Sequence, residues 1–407
     1  MKILVSNPSK QYTIQLIHAL QKLGHEVYFF TAIWQYQKPP LWQKILSLLP
    51  GVKNQFTKKS AQEIEDQIVI TSWPGILYKF FGRIILYFDV ERWSYWEDRI
   101  HDREATKWIQ KIQPDLFIGY EKSCLFSFRV AKKMGIYTLL DCSQVHPNFI
   151  AKLRGDFPFF KPITGSETLF SAISKTKMEE YELADQIGCL SDFAKHTFLD
   201  NGIRFEKLRV VHISFNPNLF YRKSATTNKQ SSIRKFIYVG AVMYRKGIAD
   251  LLQALFADKI DFDFQLTIVG PGGDASSLLN QYIQVKSNII YHSFLGHKEL
   301  CNILQEQELL VLPSYLDSWA VVVPEAMACG VPALVSTHTG ASELITNNEN
   351  GWVIEPGHPG QIRKQLLHFH QNIDLLPRWR NSAMEAASMY CSKRYQREVN
   401  QLLQHYV

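Results

Sequence analysis

Short apolar runs alternate with amphipathic segments along the whole chain of 407 residues. Runs such as Lys235-Phe-Ile-Tyr-Val-Gly240 lack the apolar–polar alternation that a half-exposed strand shows. Near-continuous apolarity is typical of strands buried on both faces of a parallel sheet, and the amphipathic segments between them then form the crossover helices. The pattern therefore predicts an open, doubly wound α/β fold.

The predicted strands fall into two sets. In the first half they lie at 2–7, 26–31, 67–71, 115–120, 137–141, 186–191 and 208–213. In the second half they lie at 236–240, 265–270, 288–294, 309–314, 332–336 and 351–355. The polar stretch 216–235 separates the sets, and the chain is longer than one hydrophobic core usually serves. We therefore predict two α/β domains, 1–215 and 234–380.

Composition narrows the class of protein. The chain is 46% hydrophobic and 20% charged, which is typical of a globular protein and excludes a disordered or fibrous one. The longest apolar stretch, 76–88, is interrupted by Lys79 and Arg83, so it falls short of a membrane span. The N-terminus becomes polar too soon for a signal peptide. Six scattered cysteines without a Cys-x-x-Cys pair predict reduced thiols, no metal site and a cytoplasmic location.

The net charge of +7 is unevenly distributed. Residues 1–60 contain eight Lys or Arg and one acid, whereas residues 301–350 contain six acids and no Lys or Arg. A nucleic-acid-binding protein would not concentrate acids in this way, so we expect no nucleic-acid partner.

A basic, aromatic insertion interrupts the first domain between Ala32 and Glu65. Two structures fit this segment: one lies on an anionic membrane at its inner face, and the other is a helical hairpin packed on its own domain. Amphipathicity alone does not separate them. The residues that define the insertion are Trp34, Tyr36, Trp42, Phe56, Lys38, Lys44, Lys53, Lys58 and Lys59.

The segment 312–336 contains the densest chemical signal. It predicts a strand ending at Ser314, a loop, a helix capped by Asp317 or Ser318, and a further strand from Pro332. A loop that enters a helix at the carboxyl end of a parallel strand presents free backbone N–H groups to an anion such as a diphosphate.

Asp317 and Glu325 are separated by seven residues, and Glu325 begins the block Glu325-Ala-Met-Ala-Cys-Gly-Val-Pro332. With this spacing and this block, the segment resembles the signature of the family 4 retaining glycosyltransferases. Further similar blocks lie at 239–247, 266–274, 339–345 and 350–357. The resemblance implies the GT-B fold, with two facing Rossmann-like domains and a C-terminal helix, about 380–407, that crosses back to the first domain.

The resemblance also implies roles for individual residues. Glu325 is expected to bind the ribose hydroxyls of a nucleotide, Asp317 the donor sugar, and Lys246 the diphosphate. The co-substrate would be a nucleotide diphosphate sugar, used without a cofactor or metal ion. The implied donor-binding set is Gly240, Arg245, Lys246, Gly270, Ser314, Ser318, Trp319, Ala320, Val321, Val322 and Glu325.

Four residues of the first domain are acceptor-side candidates: Ser9, Lys10, Glu121 and His146. Each follows a predicted strand, but plain loop residues fit Glu121 and His146 as well. The acceptor implied by the resemblance is a glycan or a lipid-linked glycan.

Three departures from the family pattern keep alternatives open. Asp317 stands where the family usually has Glu, Ala241 stands where it usually has Arg, and the first loop, 7–11, contains no glycine. A catalytically silent subunit that binds nucleotide sugars fits Ala241 and the altered loop, and an epimerase could use the same fold. A nicotinamide-dependent oxidoreductase is disfavoured, because no strand is followed by Gly-x-Gly-x-x-Gly.

Overall fold

The computed structural model divides into two compact units. It describes residues 1–9, 12–32, 34, 36, 43–44, 64–72, 90–223, 232–404 and 406. The first unit comprises Met1–Cys189, Thr197–Val211 and Gln396–Val407, and the second comprises Leu190–His196 and His212–Tyr395.

The first unit is built on a seven-stranded parallel sheet with the strand order β3-β2-β1-β4-β5-β6-β7. Strand β4 is buried at every position, as the apolar runs predict. The strands are β1 (Lys2–Ser6), β2 (Glu26–Thr31), β3 (Val69–Thr71), β4 (Leu116–Tyr120), β5 (Tyr137–Cys142), β6 (Gln186–Cys189) and β7 (Leu208–Val210). The helices are α1 (Thr13–Lys22), α2 (Val90–Ile112), α3 (Leu125–Lys133), α4 (Pro147–Asp156), α5 (Phe160–Ile163) and α6 (Glu167–Leu183).

The second unit is built on a six-stranded parallel sheet with the order β10-β9-β8-β11-β12-β13. Its strands are β8 (Arg234–Val239), β9 (Phe264–Val269), β10 (Ile289–His292), β11 (Leu309–Leu312), β12 (Ala333–Ser336) and β13 (Gly351–Ile354). Its helices are α8 (Ile248–Phe256), α9 (Ser276–Val285), α10 (His297–Gln305), α11 (Val322–Ala328), α12 (Pro359–Gln371) and α13 (Leu376–Ser388). The strand order reverses direction between β8 and β11, and such a switch point is where open α/β sheets bind ligands.

Two helices are shared between the units: α7 (Asp192–Leu199) and α14 (Ser392–Leu403). The C-terminal half of α14 belongs to the first unit, as the predicted return of the chain requires. The predicted boundaries differ from this division, because 190–196, 212–215 and 380–395 all group with the second unit. Arg380 accounts for part of this difference, since its guanidinium donates to the carbonyl oxygens of Gly330 at 2.7 Å and Gln307 at 2.9 Å.

Most of the basic insertion lies outside the described residues, as does Lys10. Of its aromatic residues, Trp34 is fully buried with its ring edge-on to Phe29, and Tyr36 shares a hydrogen bond with Thr71 at 3.1 Å. All six cysteines are free thiols. Within the described part of the chain, every helix is too short or too polar to cross a bilayer.

Candidate functional site

The turn after β8 brings two cations to the end of β11. A short 3₁₀ helix, Tyr244–Lys246, ends at Gly247, whose φ is +73°. A Cβ atom at Gly247 would lie 2.1 Å from the carbonyl oxygen of Pro313, so only glycine fits where this turn approaches the next loop. Arg245 is anchored to the same loop, because its carbonyl oxygen accepts the N–H of Tyr315 at 2.9 Å.

Lys246 and Asp317 form an ion pair through Nζ and Oδ2. Both side chains are mostly covered, with exposed fractions of 15% and 17%. Arg245 donates more weakly to the carbonyl oxygen of Leu316 at 3.4 Å. Lys246, which is predicted to bind the diphosphate, and Asp317, which is predicted to bind the donor sugar, are therefore in direct contact.

The helix that follows starts later than the sequence predicts. Asp317 and Ser318 do not cap it, since α11 begins at Val322 without a side-chain cap. Asp317 Oδ1 instead accepts the N–H of Trp319 at 3.3 Å. The interruption lies at Ala320, which adopts a left-handed φ of +65° that is uncommon for a residue with a side chain.

Ala320 and the next residue form a turn whose backbone conformation is of the kind that can bind anions. Val321 is right-handed, with φ −54° and ψ −25°, and a left-handed residue followed by a right-handed one turns successive N–H groups toward one point. Within the described residues, the backbone N–H groups of Ala320, Val321 and Val322 have no hydrogen-bond acceptor. We call these three groups the amide nest. Trp319, another residue of the implied donor-binding set, does not add its N–H to the nest, because that N–H donates to Asp317 Oδ1.

Two further polar groups nearby lack protein partners in the described part of the chain. The Ser314 hydroxyl is buried without a hydrogen bond. Glu325, in the first turn of α11, is half-buried, and its carboxyl group has no hydrogen bond or ion pair among the described residues. Burial raises the pKa of Glu325 to about 8.

The remaining predicted glycines meet at the ends of β8 and β9. Gly270 has a φ of +148°, and a Cβ atom there would lie 2.1 Å from the carbonyl oxygen of Gly240. Gly240 itself has room for a side chain. All the donor-side candidates thus lie in the second unit. They follow the carboxyl ends of β9, β8 and β11, three adjacent strands that include the switch point.

The sequence analysis missed a group of residues that support the loop from behind. Ser191 donates to the carbonyl oxygen of Ser318 at 2.7 Å, and the Trp319 indole donates to the carbonyl oxygen of Ile213 at 3.0 Å. Glu343 pairs with His212 and accepts the N–H of Asp192 at 3.0 Å. The only available signal was the family-like block 339–345, which contains Glu343.

Asp192, His212 and Glu343 are the one group of three potential metal ligands found among the described residues, with ligand atoms within 4.8 Å of one another. Arg394 lies 3.4 Å from His212 Nδ1 and can only donate to it. His212 pairs with Glu343 through Nε2, and Glu343 also accepts the N–H of Asp192, so the three residues cross-link the segments that contain them.

In the first unit, Ser9 and Glu121 line a cavity of about 380 Å³ at the carboxyl ends of β1, β4 and β5. Glu121 is 2% exposed, pairs with Lys177 at 3.0 Å and accepts the Tyr181 hydroxyl at 2.6 Å. A second pair, Lys122 with Asp98 at 3.0 Å, also lines the cavity. Its charged walls are therefore largely neutralised by ion pairs.

His146 is not one of the residues that line this cavity, and it is fully buried. Its Nδ1 accepts the N–H of Asn148 at 3.2 Å, which caps α4, and its ring packs against Tyr181 and Phe198. Burial lowers the pKa of His146 to about 4, so the ring is neutral at pH 7. Within the described residues, its buried Nε2 has no hydrogen-bond partner.

The fold places the chain in a structural class. The sucrose-phosphate synthase of Thermosynechococcus elongatus superposes with a TM-score of 0.72 at 18% identity, covering 100% of this chain and 98% of that one. Anabaena Alr3699/HepE in complex with UDP and glucose superposes with a TM-score of 0.67 at 15% identity, covering both chains completely. The protein thus has the GT-B fold, as predicted.

Sequence comparison points in the same direction as the fold. Residues 222–386 match the model of the family described as glycosyl transferases group 1, so this segment is similar to that family. An uncharacterized glycosyltransferase of Methanocaldococcus jannaschii is 25% identical over 195 residues, or 47% of this chain and 51% of that protein. The lipopolysaccharide 1,6-galactosyltransferase of Escherichia coli is 24% identical over 265 residues, or 63% and 66%. The matches therefore span about half to two thirds of these relatives. Membership of family 4 stays a prediction.

Proposed function

We propose that this protein is a retaining glycosyltransferase that moves a sugar from a nucleotide diphosphate sugar to a hydroxyl group of a glycan or glycolipid. The observation that carries the proposal is the amide nest beside Lys246, with the unpartnered carboxyl of Glu325 in the helix that follows. Three N–H donors and an ammonium group match the charge and the acceptor oxygens of a diphosphate.

Catalysis would come from the same groups. When the bond between the sugar C1 and the diphosphate oxygen breaks, negative charge builds on the diphosphate, and preorganised donors that face this charge stabilise the transition state. The acceptor hydroxyl oxygen forms the new bond to C1, and its proton passes to the leaving diphosphate. Lys246 and the amide nest provide positive charge for this step, so the proposal includes no metal ion.

The nucleotide would be held by Glu325. A carboxylate can accept two hydrogen bonds from the vicinal hydroxyls of a ribose, and Glu325 has no other partner in the described part of the chain. Asp317 would bind hydroxyls of the donor sugar. Since HepE was solved with UDP and with UDP-glucose, uridine diphosphate sugars are the first donors to test.

The acceptor would enter the cavity of the first unit that Ser9 and Glu121 line. Relatives include the lipopolysaccharide galactosyltransferase and an amylovoran biosynthesis glycosyltransferase of Erwinia amylovora, 26% identical over 199 residues. Both names refer to bacterial polysaccharides or lipid-linked glycans, so a growing glycan of that kind is the acceptor class we propose.

The deciding experiment is a thermal-shift screen of nucleoside diphosphates and their sugars. A ligand at 100 times its Kd stabilises a protein by about 2.7 kcal/mol, which gives a clear rise in Tm. We expect one diphosphate family to raise the Tm of the wild type and of Glu349→Ala, an exposed control, but not of Glu325→Ala. No rise with any diphosphate would refute the proposal.

Turnover assays then separate the alternatives. Retained configuration at C1, measured by proton NMR of the product, and activity in the presence of EDTA would support the full proposal. Binding without transfer to any acceptor would indicate the silent subunit. Conversion of the donor sugar without an acceptor would indicate an epimerase.

A further inference from the structure

The loop that contains the amide nest has an unusual distribution of hydrogen bonds. The carbonyl oxygens of four successive residues, 317–320, all accept hydrogen bonds, whereas the N–H groups of 320–322 have no acceptor among the described residues. Most backbone N–H and C=O groups in folded proteins are hydrogen-bonded, so a loop with four paired carbonyl groups and three successive unpaired N–H groups is unusual. The supports that hold the carbonyl groups therefore determine which N–H groups remain available.

In a continuous α-helix, each carbonyl oxygen accepts the N–H of the fourth residue along. The carbonyl of Asp317 would then take the N–H of Val321, and that of Ser318 the N–H of Val322. In the structure both carbonyls are occupied elsewhere, since Asp317 accepts from Gly340 N–H at 2.8 Å and Ser318 accepts from the Ser191 hydroxyl at 2.7 Å. Together with the left-handed conformation of Ala320, this diversion makes α11 begin at Val322 and leaves these N–H groups available.

Ser191 is built for this contact. It is completely buried, and its Oγ accepts the N–H of Ala194 at 3.0 Å, which leaves the hydroxyl proton for the carbonyl of Ser318. Gly340 fits closely against the same pair, since a Cβ atom there would lie 2.1 Å from the Ser318 oxygen and 2.6 Å from Ser191 Oγ.

Trp319 secures the other side of the loop. Its indole is 2% exposed, donates to Ile213, and lies with its ring centroid 4.9 Å from that of His212. Its carbonyl accepts the N–H of Ala341 at 2.8 Å. Ala320 thus directly follows two anchored residues, Ser318 and Trp319, which can keep it in a left-handed conformation that alanine disfavours.

We propose that the Ser191 hydroxyl and the Trp319 indole are positioning groups for the donor diphosphate: they hold the loop carbonyls away so that the amide nest stays assembled. This inference rests on the proposed function, because it takes the nest to be the diphosphate site. Both side chains are buried and donate their hydrogen bonds to backbone carbonyl groups of the second unit, so they act through the loop. Their role is to prevent α11 from extending by a turn and using the N–H of Val322 itself.

The first test compares ligands with and without phosphate. Ser191→Ala frees the carbonyl of Ser318, so UDP affinity should fall about tenfold, the loss of one charge-assisted hydrogen bond, while uridine affinity is unchanged. Trp319→Phe, which keeps the ring but removes the indole donor, should act in the same direction. Ser127→Ala, which removes a buried hydroxyl bonded to Asp102 in the first unit, is the matched control and should change neither affinity.

The second test needs no ligand, so it separates failure of this inference from failure of the proposed function. In hydrogen exchange, the amide of Val322 should exchange more slowly in Ser191→Ala than in the wild type, because Ser318 can now accept it. Unchanged exchange at Val322, or equal losses of UDP and uridine affinity, would overturn the inference. Slower exchange in a protein that binds no diphosphate would refute only the proposed function and the ligand assigned to the nest.

Discussion

Lys246 and Asp317 pair with each other, although the resemblance to family 4 implies that they bind different parts of the donor. Each is therefore neutralised before a ligand arrives. A diphosphate that binds Lys246 must share it with Asp317 or displace the carboxylate, which would then be available for a sugar hydroxyl. If the proposed donor binds here, the pair would couple recognition of its diphosphate to recognition of its sugar.

Because the two residues pair, we expect substitutions of Lys246 and Asp317 to have unequal effects on UDP affinity. Lys246→Met removes the ammonium group that is proposed to bind the diphosphate, and it leaves Asp317 without its partner. We therefore expect UDP affinity to fall on the order of tenfold or more. The free energy of unfolding should fall by about 1–3 kcal/mol. Asp317→Asn releases Lys246 and should keep UDP affinity at or above the wild-type level while transfer declines. Calorimetry and urea unfolding measure both effects, with exposed Lys298→Met as control. Equal losses of UDP affinity would contradict a shared pair.

Glu325 should make stability depend on pH. Its pKa is raised to about 8 in the fold against an ordinary 4.5, so the folded state holds its proton more tightly than the unfolded state. Stability should therefore fall as pH rises from about 4.5 to 8 and level off above that. Glu325→Gln, which stays neutral, should gain stability over the wild type across this window, on the order of 1–3 kcal/mol for a half-buried group. A constant difference between pH 5 and pH 9 in urea unfolding would contradict the raised pKa.

Donor binding should release a proton from the same residue. Ribose hydroxyls that donate to the carboxylate favour its charged form and lower the pKa of Glu325. At pH 7, we expect calorimetric titrations of UDP in buffers of different ionisation enthalpy to show proton release in the wild type. Glu325→Gln should release fewer protons. Identical proton counts would place the ribose elsewhere.

Ala320 offers a test of backbone conformation. Glycine adopts a positive φ without cost, so Ala320→Gly should leave the free energy of unfolding unchanged or raise it by about 1 kcal/mol. Ala320→Val should lower it by about 2 kcal/mol or more, since a β-branched residue resists this conformation. The control is Ala341→Gly in the 3₁₀ helix Gly340–Leu344, which should be destabilising. If Ala320→Gly destabilised as much as Ala341→Gly, the left-handed conformation would be refuted.

Removing only the lysine of the buried Glu121–Lys177 ion pair should lower the free energy of unfolding. Lys177→Met leaves the carboxylate of Glu121 buried and without its counter-charge, and we expect a loss of about 3–5 kcal/mol. Adding Glu121→Gln should recover most of it, since the amide oxygen still accepts the Tyr181 hydroxyl. Chemical unfolding of both variants measures the recovery. Arg129→Met, which breaks an exposed pair with Glu179, should cost less than about 1 kcal/mol.

Much of the fold was predictable, because buried parallel strands have a distinctive apolar pattern and the polar stretch 216–235 divides the two sets. The spacing of Asp317 and Glu325 likewise located the candidate site. The late start of α11 was not predictable. It depends on Ser191, 127 residues away from Ser318, and on a left-handed alanine that no local pattern marks. Asp317 and Ser318 are residue types that favour a helix cap, but hydrogen bonds from Gly340 and Ser191 occupy their carbonyl groups.

His146 illustrates a different limit. Its position after a strand is compatible with a ligand contact or a structural role. A ligand contact requires an exposed ring, whereas the ring of His146 is fully buried. A sequence does not reveal that Tyr181 and Phe198 cover the ring.

The division of the chain has a consequence for synthesis in the cell. The first unit includes residues 396–407, which leave the ribosome only after the whole second unit has been made. Its sheet can form early, but the apolar surface that Val399, Leu402 and Leu403 bury stays uncovered until translation passes them. Nascent chains halted before that point should be prone to aggregation, because this apolar surface of the first unit is still exposed to solvent and to other chains.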